Sequence, residues 1–300
     1  MKFGKVDNPQ DIDFTLPKDH PDTAKVLATN KEPLQNISVG CAKWNKQDLK
    51  GFYPRGTKDE LGYYSNEFNS IELNATFYNL YSEDQILTWK EKTPNDFKFF
   101  PKLPRYISHI KRLSDGYQGY LEDYLLGIQA FGEQLGMLFL QLHDNFGPKA
   151  ENFNRLKAFV DQFPEDLPLA IELRHTDWFN QNDISEELYA LFEDHAITNM
   201  LVDSAGRRDI MHMRLTTTSA FVRYVGANHE SDYSRLDDWI ERIKLWKKQG
   251  LKNLYFFIHQ NLEKESPLLA SYFIKKLNDA AGTNIKIPSL PEGGQVGLKF

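Results

Sequence analysis

Apolar runs rich in β-branched and aromatic residues recur along the chain at 37–41, 69–73, 97–102, 137–142, 168–173, 199–203, 221–225 and 254–259. Most intervals between them carry a helical period, and this βαβα alternation predicts a parallel sheet covered by helices. Three one-sided stripes mark outer helices: Leu156, Phe159, Val160 and Phe163; Leu188, Leu191 and Phe192; Leu236, Trp239, Ile240, Ile243 and Trp246. Thr57 with Glu60 and Ser82 with Gln85 fit capping boxes that open two further helices. The interval between the sixth and seventh runs breaks the rhythm, because Ser204-Ala205-Gly206-Arg207-Arg208 and Thr216-Thr217-Thr218 read as loop. Eight strands predict an α/β fold of the closed (β/α)8 TIM type, lacking a regular helix between strands 6 and 7.

The barrel accounts for residues 37–282. Residues 1–36 are polar and punctuated by proline, which predicts an N-terminal extension laid over the domain or a partly ordered arm. Residues 283–300, with Pro288, Pro291, Gly293, Gly294 and Gly297, read as a non-helical C-terminal tail. An open doubly wound sheet fits less well, since Gly40-Cys41-Ala42-Lys43-Trp44 is not a Gly-rich first turn. Neither G-x-G-x-x-G nor a Walker A sequence occurs, so no nucleotide cofactor is identifiable.

Composition narrows the classes. Hydrophobic content of 41% and charged content of 26% are those of a globular chain. A formal charge of -6 argues against an extended nucleic-acid surface, which needs clustered Lys and Arg. The lone Cys41 excludes an intramolecular disulfide and fits a reducing, cytoplasmic setting. The N-terminus lacks a signal-peptide core, and no window is long and apolar enough to span a bilayer.

Functional groups in such barrels lie at the carboxyl ends of strands. Here those ends carry Glu72 and Asn74, Lys102, Gln141 and His143, Glu172, Arg174 and His175, Asp203, Arg223, and His259. Side chains alternate along a strand, so Glu72 with Asn74, Gln141 with His143, and Glu172 with Arg174 each share a face. Acid–base roles fall to Glu72, Glu172, His175 and Asp203. Contacts to substrate fall to Asn74, Lys102, Gln141, Arg174, Arg223 and His259, with Trp44 and Trp178 as stacking surfaces after strand ends. Glu172 with Arg174 also fits a structural ion pair, and His175 also fits a loop-orienting role beside Asp177. Cys41, ending an apolar strand, reads as buried and inert. Glu72, Glu172, Asp203 and His259 are the available ligands for a divalent metal, but no local ligand spacing supports one, and three cations compete for the same carboxylates.

Several ordered motifs resemble the YecE-like family (domain-of-unknown-function family 72). They are Val39-Gly40-Cys41-Ala42-Lys43-Trp44, Gly51-Phe52-Tyr53-Pro54, Leu61-Gly62-Tyr63-Tyr64, residues 71–78, Trp89, Thr93-Pro94, Phe97-Lys98-Phe99, Glu172-Leu173-Arg174-His175 with Trp178, and residues 222–226. The resemblance spans about residues 37 to 275 and implies a TIM-type barrel without naming a reaction. Val225 stands where the family tends to have His, and Phe257-Ile258-His259-Gln260 stands where it tends to have Phe-Asn-Asn.

Three functions compete. The first is an enzyme acting on a small anionic or polyhydroxylated substrate at the barrel mouth by carboxylate and His acid–base chemistry. The second is a non-catalytic protein that binds phosphate, a nucleotide or nucleic acid. The third is a metal-dependent hydrolase or isomerase, by analogy of fold alone. Oligomeric state is open, and a membrane partner is not expected.

Overall fold

The eight apolar runs each become a strand in the computed structural model, which describes residues 4–290. The strands are β1 (Asn36–Cys41), β2 (Ser70–Leu73), β3 (Lys98–Pro101), β4 (Leu138–Gln141), β5 (Leu169–Glu172), β6 (Thr198–Asn199), β7 (Leu201–Ser204), β8 (Ser219–Val225) and β9 (Asn253–His259). The sixth run is divided at Met200, whose N–H donates to Ile171 O at 3.0 Å. Its first half pairs with β5 and its second with β8, so one run serves two sheets.

All ladders are parallel, and they form three sheets with orders β1-β9-β8-β7, β2-β3 and β4-β5-β6. The chain is thus a mixed α/β fold with parallel sheets, and among the described residues no continuous ladder closes them into the barrel expected above. The seam between β1 and β2 has a physical cause. Asn69 Oδ1 accepts from Val39 N at 3.0 Å, and Asn69 Nδ2 donates to Ile37 O at 2.7 Å. Tyr64 OH accepts from Cys41 N at 2.7 Å and donates to Ser70 O at 3.0 Å. Side chains therefore replace backbone pairs along this seam. Gly40 permits the close approach, since a Cβ there would lie 2.2 Å from Ser70 O. Between β3 and β4 only the isolated bridges Phe99–Leu135 and Lys102–Phe139 form.

Two apolar layers hold the strands. Phe100, Met137, Phe139, Ala170, Met200, Phe221 and Phe257 make a buried cluster on one strand face. The other face packs beneath helices that include Ala150–Gln162, Asn182–Asp194 and Ser231–Gln249, the three that the stripes predict. Ser82 caps its helix by accepting from Gln85 N, as the capping box requires. Thr57 does not cap. Asp59 takes that place two residues later, its carboxylate accepting from Gly62 N at 3.1 Å.

Between Ser204 and Ser219 the chain makes only the 3-10 segment Ala205–Ile210, so an outer helix is missing there, as expected. The N-terminal extension fills the gap. Its helix Pro21–Leu27 is tied down by Thr23 Oγ1, which donates to Met213 O and accepts from Leu215 N, each at 3.1 Å. The His20 ring meets Tyr189 of helix Asn182–Asp194 edge-on at 5.5 Å. Asp19 accepts from Trp246 Nε1 at 2.9 Å and pairs with Arg242, both on helix Ser231–Gln249. The extension is thereby wedged between the two flanking helices. At the other end, Ser289 N donates to Glu67 Oε2 at 2.7 Å, and the tail from 291 onward, including Pro291 and its glycines, lies outside the described residues. Among the described residues no helix is long and apolar enough to cross a membrane.

Leu27 is fully buried, so the extension belongs to the core. Leu27→Ala is expected to cost about 2–5 kcal/mol, the range for a cavity in a packed interior. Urea denaturation measures it, and a loss under about 0.5 kcal/mol would mark the arm as surface decoration.

Candidate functional site

Strand alternation assembles the site. Lys102, Gln141, Glu172, Arg223 and His259 each stand two residues beyond an interior residue, namely Phe100, Phe139, Ala170, Phe221 and Phe257. All five therefore share that strand face and lie at the carboxyl ends. Glu72 and Asn74 join them from β2 and the turn after it, and Arg174 from the segment following β5.

Arg223 lies at the centre of the cluster. Its Nε donates to Glu72 Oε2 at 2.9 Å and its Nη2 to Glu72 Oε1 at 2.8 Å, while Nη1 reaches Glu172 Oε2 at 2.5 Å. His259 Nε2 lies 2.9 Å from Glu72 Oε2, and Asn74 Nδ2 donates to Glu72 Oε1 at 2.8 Å. Arg174 Nε takes the remaining Glu172 oxygen. Three cations converge on one neutral acceptor: Gln141 Oε1 receives Lys102 Nζ at 2.8 Å, Arg174 Nη2 at 2.9 Å and Arg223 Nη1 at 3.1 Å.

Both glutamates are fully buried. Burial alone would raise their carboxyls, but the neighbouring cations more than reverse it. Arg223 and His259 hold Glu72 well below the usual carboxylate range, and Arg174 and Arg223 hold Glu172 at about 2. Lys102 behaves oppositely. Burial, reinforced by Arg223 and Arg174, lowers it to about 7. Among the described residues no carboxylate forms an ion pair with it, because both glutamates are taken by guanidinium groups.

Other expected residues lie elsewhere. Asp203 is out of phase with the inward residues of its strand, and its carboxylate accepts from Arg235 Nη2 at 2.6 Å and Trp239 Nε1 at 2.7 Å on helix Ser231–Gln249, with Arg208 also paired to it. It binds that helix to the sheet, away from the Arg223 cluster. Trp178 is fully buried and donates from Nε1 to Phe146 O at 2.6 Å, which leaves no face for a ligand. His175 accepts from Asp177 N at 3.3 Å in its loop. Trp44 is half-buried against Trp89 and lines a cleft of about 250 Å³ with Asn74, Glu72 and Tyr78. The four residues considered as metal ligands do not assemble, since Asp203 is remote and the glutamates are occupied. Among the described residues no group of three or more His, Cys, Asp or Glu is placed to hold an ion. Cys41 is buried, and burial raises its thiol well above its ordinary range.

Several rim residues escaped sequence reasoning. Phe77 sets its ring 4.1 Å from Lys102 Nζ. His109 meets Phe77 at 5.0 Å and His143 at 5.3 Å, and burial together with Lys102 lowers it to about 4. It sits in the π-helical turn Tyr106–Lys111, a geometry common near functional sites that has no sequence signature. Arg207 donates to Arg174 O at 2.6 Å and pairs with Asp144 at 3.7 Å. The one available signal was position, since these residues follow the ends of β2, β3, β4 and β7.

Arg223→Met would leave Glu172 to Arg174 and Glu72 to His259 and Asn74, at an expected cost of about 3–5 kcal/mol at pH 7. In the wild type the contribution of Glu172 is present above the unfolded carboxyl value and is lost only as pH falls through about 2. In the variant each buried carboxyl has lost a counter-charge and titrates upward, so the deficit should shrink between pH 7 and pH 5. Urea denaturation at both pH values checks this, and a deficit that grows on acidification would contradict it.

Comparison with known proteins places the chain. The family described as "Protein of unknown function DUF72" matches residues 38–294. The chain is 25% identical to the UPF0759 protein YecE of Escherichia coli K12 over 278 residues, covering 85% of this chain and 98% of that protein. It is 28% identical to the UPF0759 protein YunF of Bacillus subtilis over 156 residues, covering 48% and 52%. Among solved structures, a DUF72 family protein of Thermotoga maritima aligns with a TM-score of 0.67 at 24% identity, covering 81% of this chain and all of that one. One from Enterococcus faecalis aligns with the same TM-score at 18% identity, covering 81% and 95%. With most of its length inside the family match and its fold shared with two members, this chain belongs to the DUF72 family.

Proposed function

We propose that the three sheets are arcs of one interrupted (β/α)8 barrel, and that its carboxyl-end mouth is the site of an enzyme acting on a small anionic substrate. Lys102 is the group that exchanges the proton, and in its charged form it holds the anion together with Arg174. One observation carries this reading: three cations meet at Gln141 Oε1, and Lys102 alone among them has no carboxylate partner among the described residues. The mouth of a parallel barrel is where such folds hold their chemistry. This assignment moves the acid–base role away from Glu72 and Glu172. Carboxylates held ionised by arginines position their neighbours and do not exchange protons near neutrality. A recessed cluster, with Lys102 and Arg223 each only 6% exposed, suits a small ligand better than a nucleic-acid backbone.

Titration calorimetry with inorganic phosphate and with pyruvate tests the anion site. Affinity is expected to be full below pH 7 and to fall about tenfold per unit above it, as Lys102 loses its proton. Lys102→Met should abolish that slope. Failure of both probes to bind, or an affinity unchanged from pH 6 to pH 9, would overturn the reading.

A further inference from the structure

We infer that Lys102 is a nucleophile that forms an imine with the carbonyl carbon of a small oxo acid, which deepens and rests on the anion site proposed above. The first ground is the environment of Nζ. It is nearly buried, it donates to the neutral Gln141 oxygen at 2.8 Å, and the Phe77 ring lies 4.1 Å away with Phe139 at 5.9 Å. A lysine buried so deeply for stability alone is almost always paired with a carboxylate. The cluster contains two carboxylates and commits both to arginines and His259. An amine desolvated among aromatic rings and next to other cations is the arrangement that activates lysine as a nucleophile.

The charged and titratable groups around it agree. Burial disfavours its protonation most, Arg223 and Arg174 add to that, and Glu172 and Glu72 oppose it while bonded to those arginines. His109, itself lowered by burial and by Lys102, is neutral near pH 7 and does not add a competing charge.

Geometry also selects the substrate class. Lys102 Nζ and Arg174 Nη2 both bond to one oxygen, so the two nitrogens lie within about 6 Å of each other. An oxo acid spans that gap, with its carboxylate against Arg174 and its carbonyl carbon against Nζ. The amine lone pair forms the C–N bond as the carbonyl π pair moves to oxygen. Nitrogen then yields one proton to that oxygen to give the carbinolamine. Protonation of the hydroxyl from solvent and loss of water leave the protonated imine. Its positive charge occupies the position of the former ammonium, where the substrate carboxylate offsets it.

The test is reductive trapping of the full-length chain with pyruvate or glyoxylate and sodium borohydride, followed by peptide mass spectrometry. One equivalent is expected on Lys102 at pH 7, and excess phosphate should suppress it. Lys102→Arg should lose the label, while mapping of the wild type needs no variant to decide the matter. No label on Lys102, or no more than on exposed Lys25, overturns the inference. If phosphate binds by calorimetry yet Lys102 is not trapped, the imine falls and the anion site stands. If neither oxo acid is trapped and neither phosphate nor pyruvate binds, both fall.

Discussion

One guanidinium between two buried carboxylates organises this protein. Arg223 bonds both oxygens of Glu72 and one of Glu172, linking β8 to β2 and β5, strands that belong to three different sheets. Each carboxylate would cost several kcal/mol to bury unpaired, so the arrangement is stable only when complete. The remaining site contacts depend on it. Asn74 and His259 are positioned by Glu72, Arg174 by Glu172, and Gln141 by the cations that these carboxylates leave facing it. Lys102 owes its unusual state to the same pairing, because the carboxylates that would normally neutralise it are already engaged.

Where the backbone ladders stop, side chains carry the load. Asn69 and Tyr64 supply the hydrogen bonds that β1 and β2 do not exchange directly, and Glu72 lies just three residues beyond Asn69. The seam thus bears on the site, since the position of one acidic group is set by an amide and a phenol. Asp203 does comparable work outside the sheet by fixing helix Ser231–Gln249 through Arg235 and Trp239. Buried charge serves two purposes here, joining sheets in one cluster and attaching a helix in the other.

Much of this was legible in the sequence because strands repeat every two residues. Phe100 before Lys102, Phe139 before Gln141, Phe221 before Arg223 and Phe257 before His259 repeat one pattern, an interior residue followed by a polar residue at the carboxyl end of the strand. Asp203 misled because its phase depends on which way Met200 points, and the break in pairing at that residue leaves no mark on composition. Trp178 was indistinguishable in sequence from an exposed tryptophan following a strand. The partition of charge was also hidden. A list of acids and bases does not say which carboxylate meets which guanidinium, and here that choice leaves Lys102 without a carboxylate partner among the described residues. His109 lies in a helical turn whose hydrogen-bond register has no residue code.

The N-terminal extension has a consequence for how the chain folds. Its anchors on Arg242 and Trp246 are more than 220 residues distant in sequence. The extension therefore docks fully only when Met213, Leu215, Arg242 and Trp246 are all in place, contacts of long sequence separation that form late in folding. Until then the helices Asn182–Asp194 and Ser231–Gln249 lack the contacts that His20 and Asp19 make with them, so one late event joins two elements of the fold.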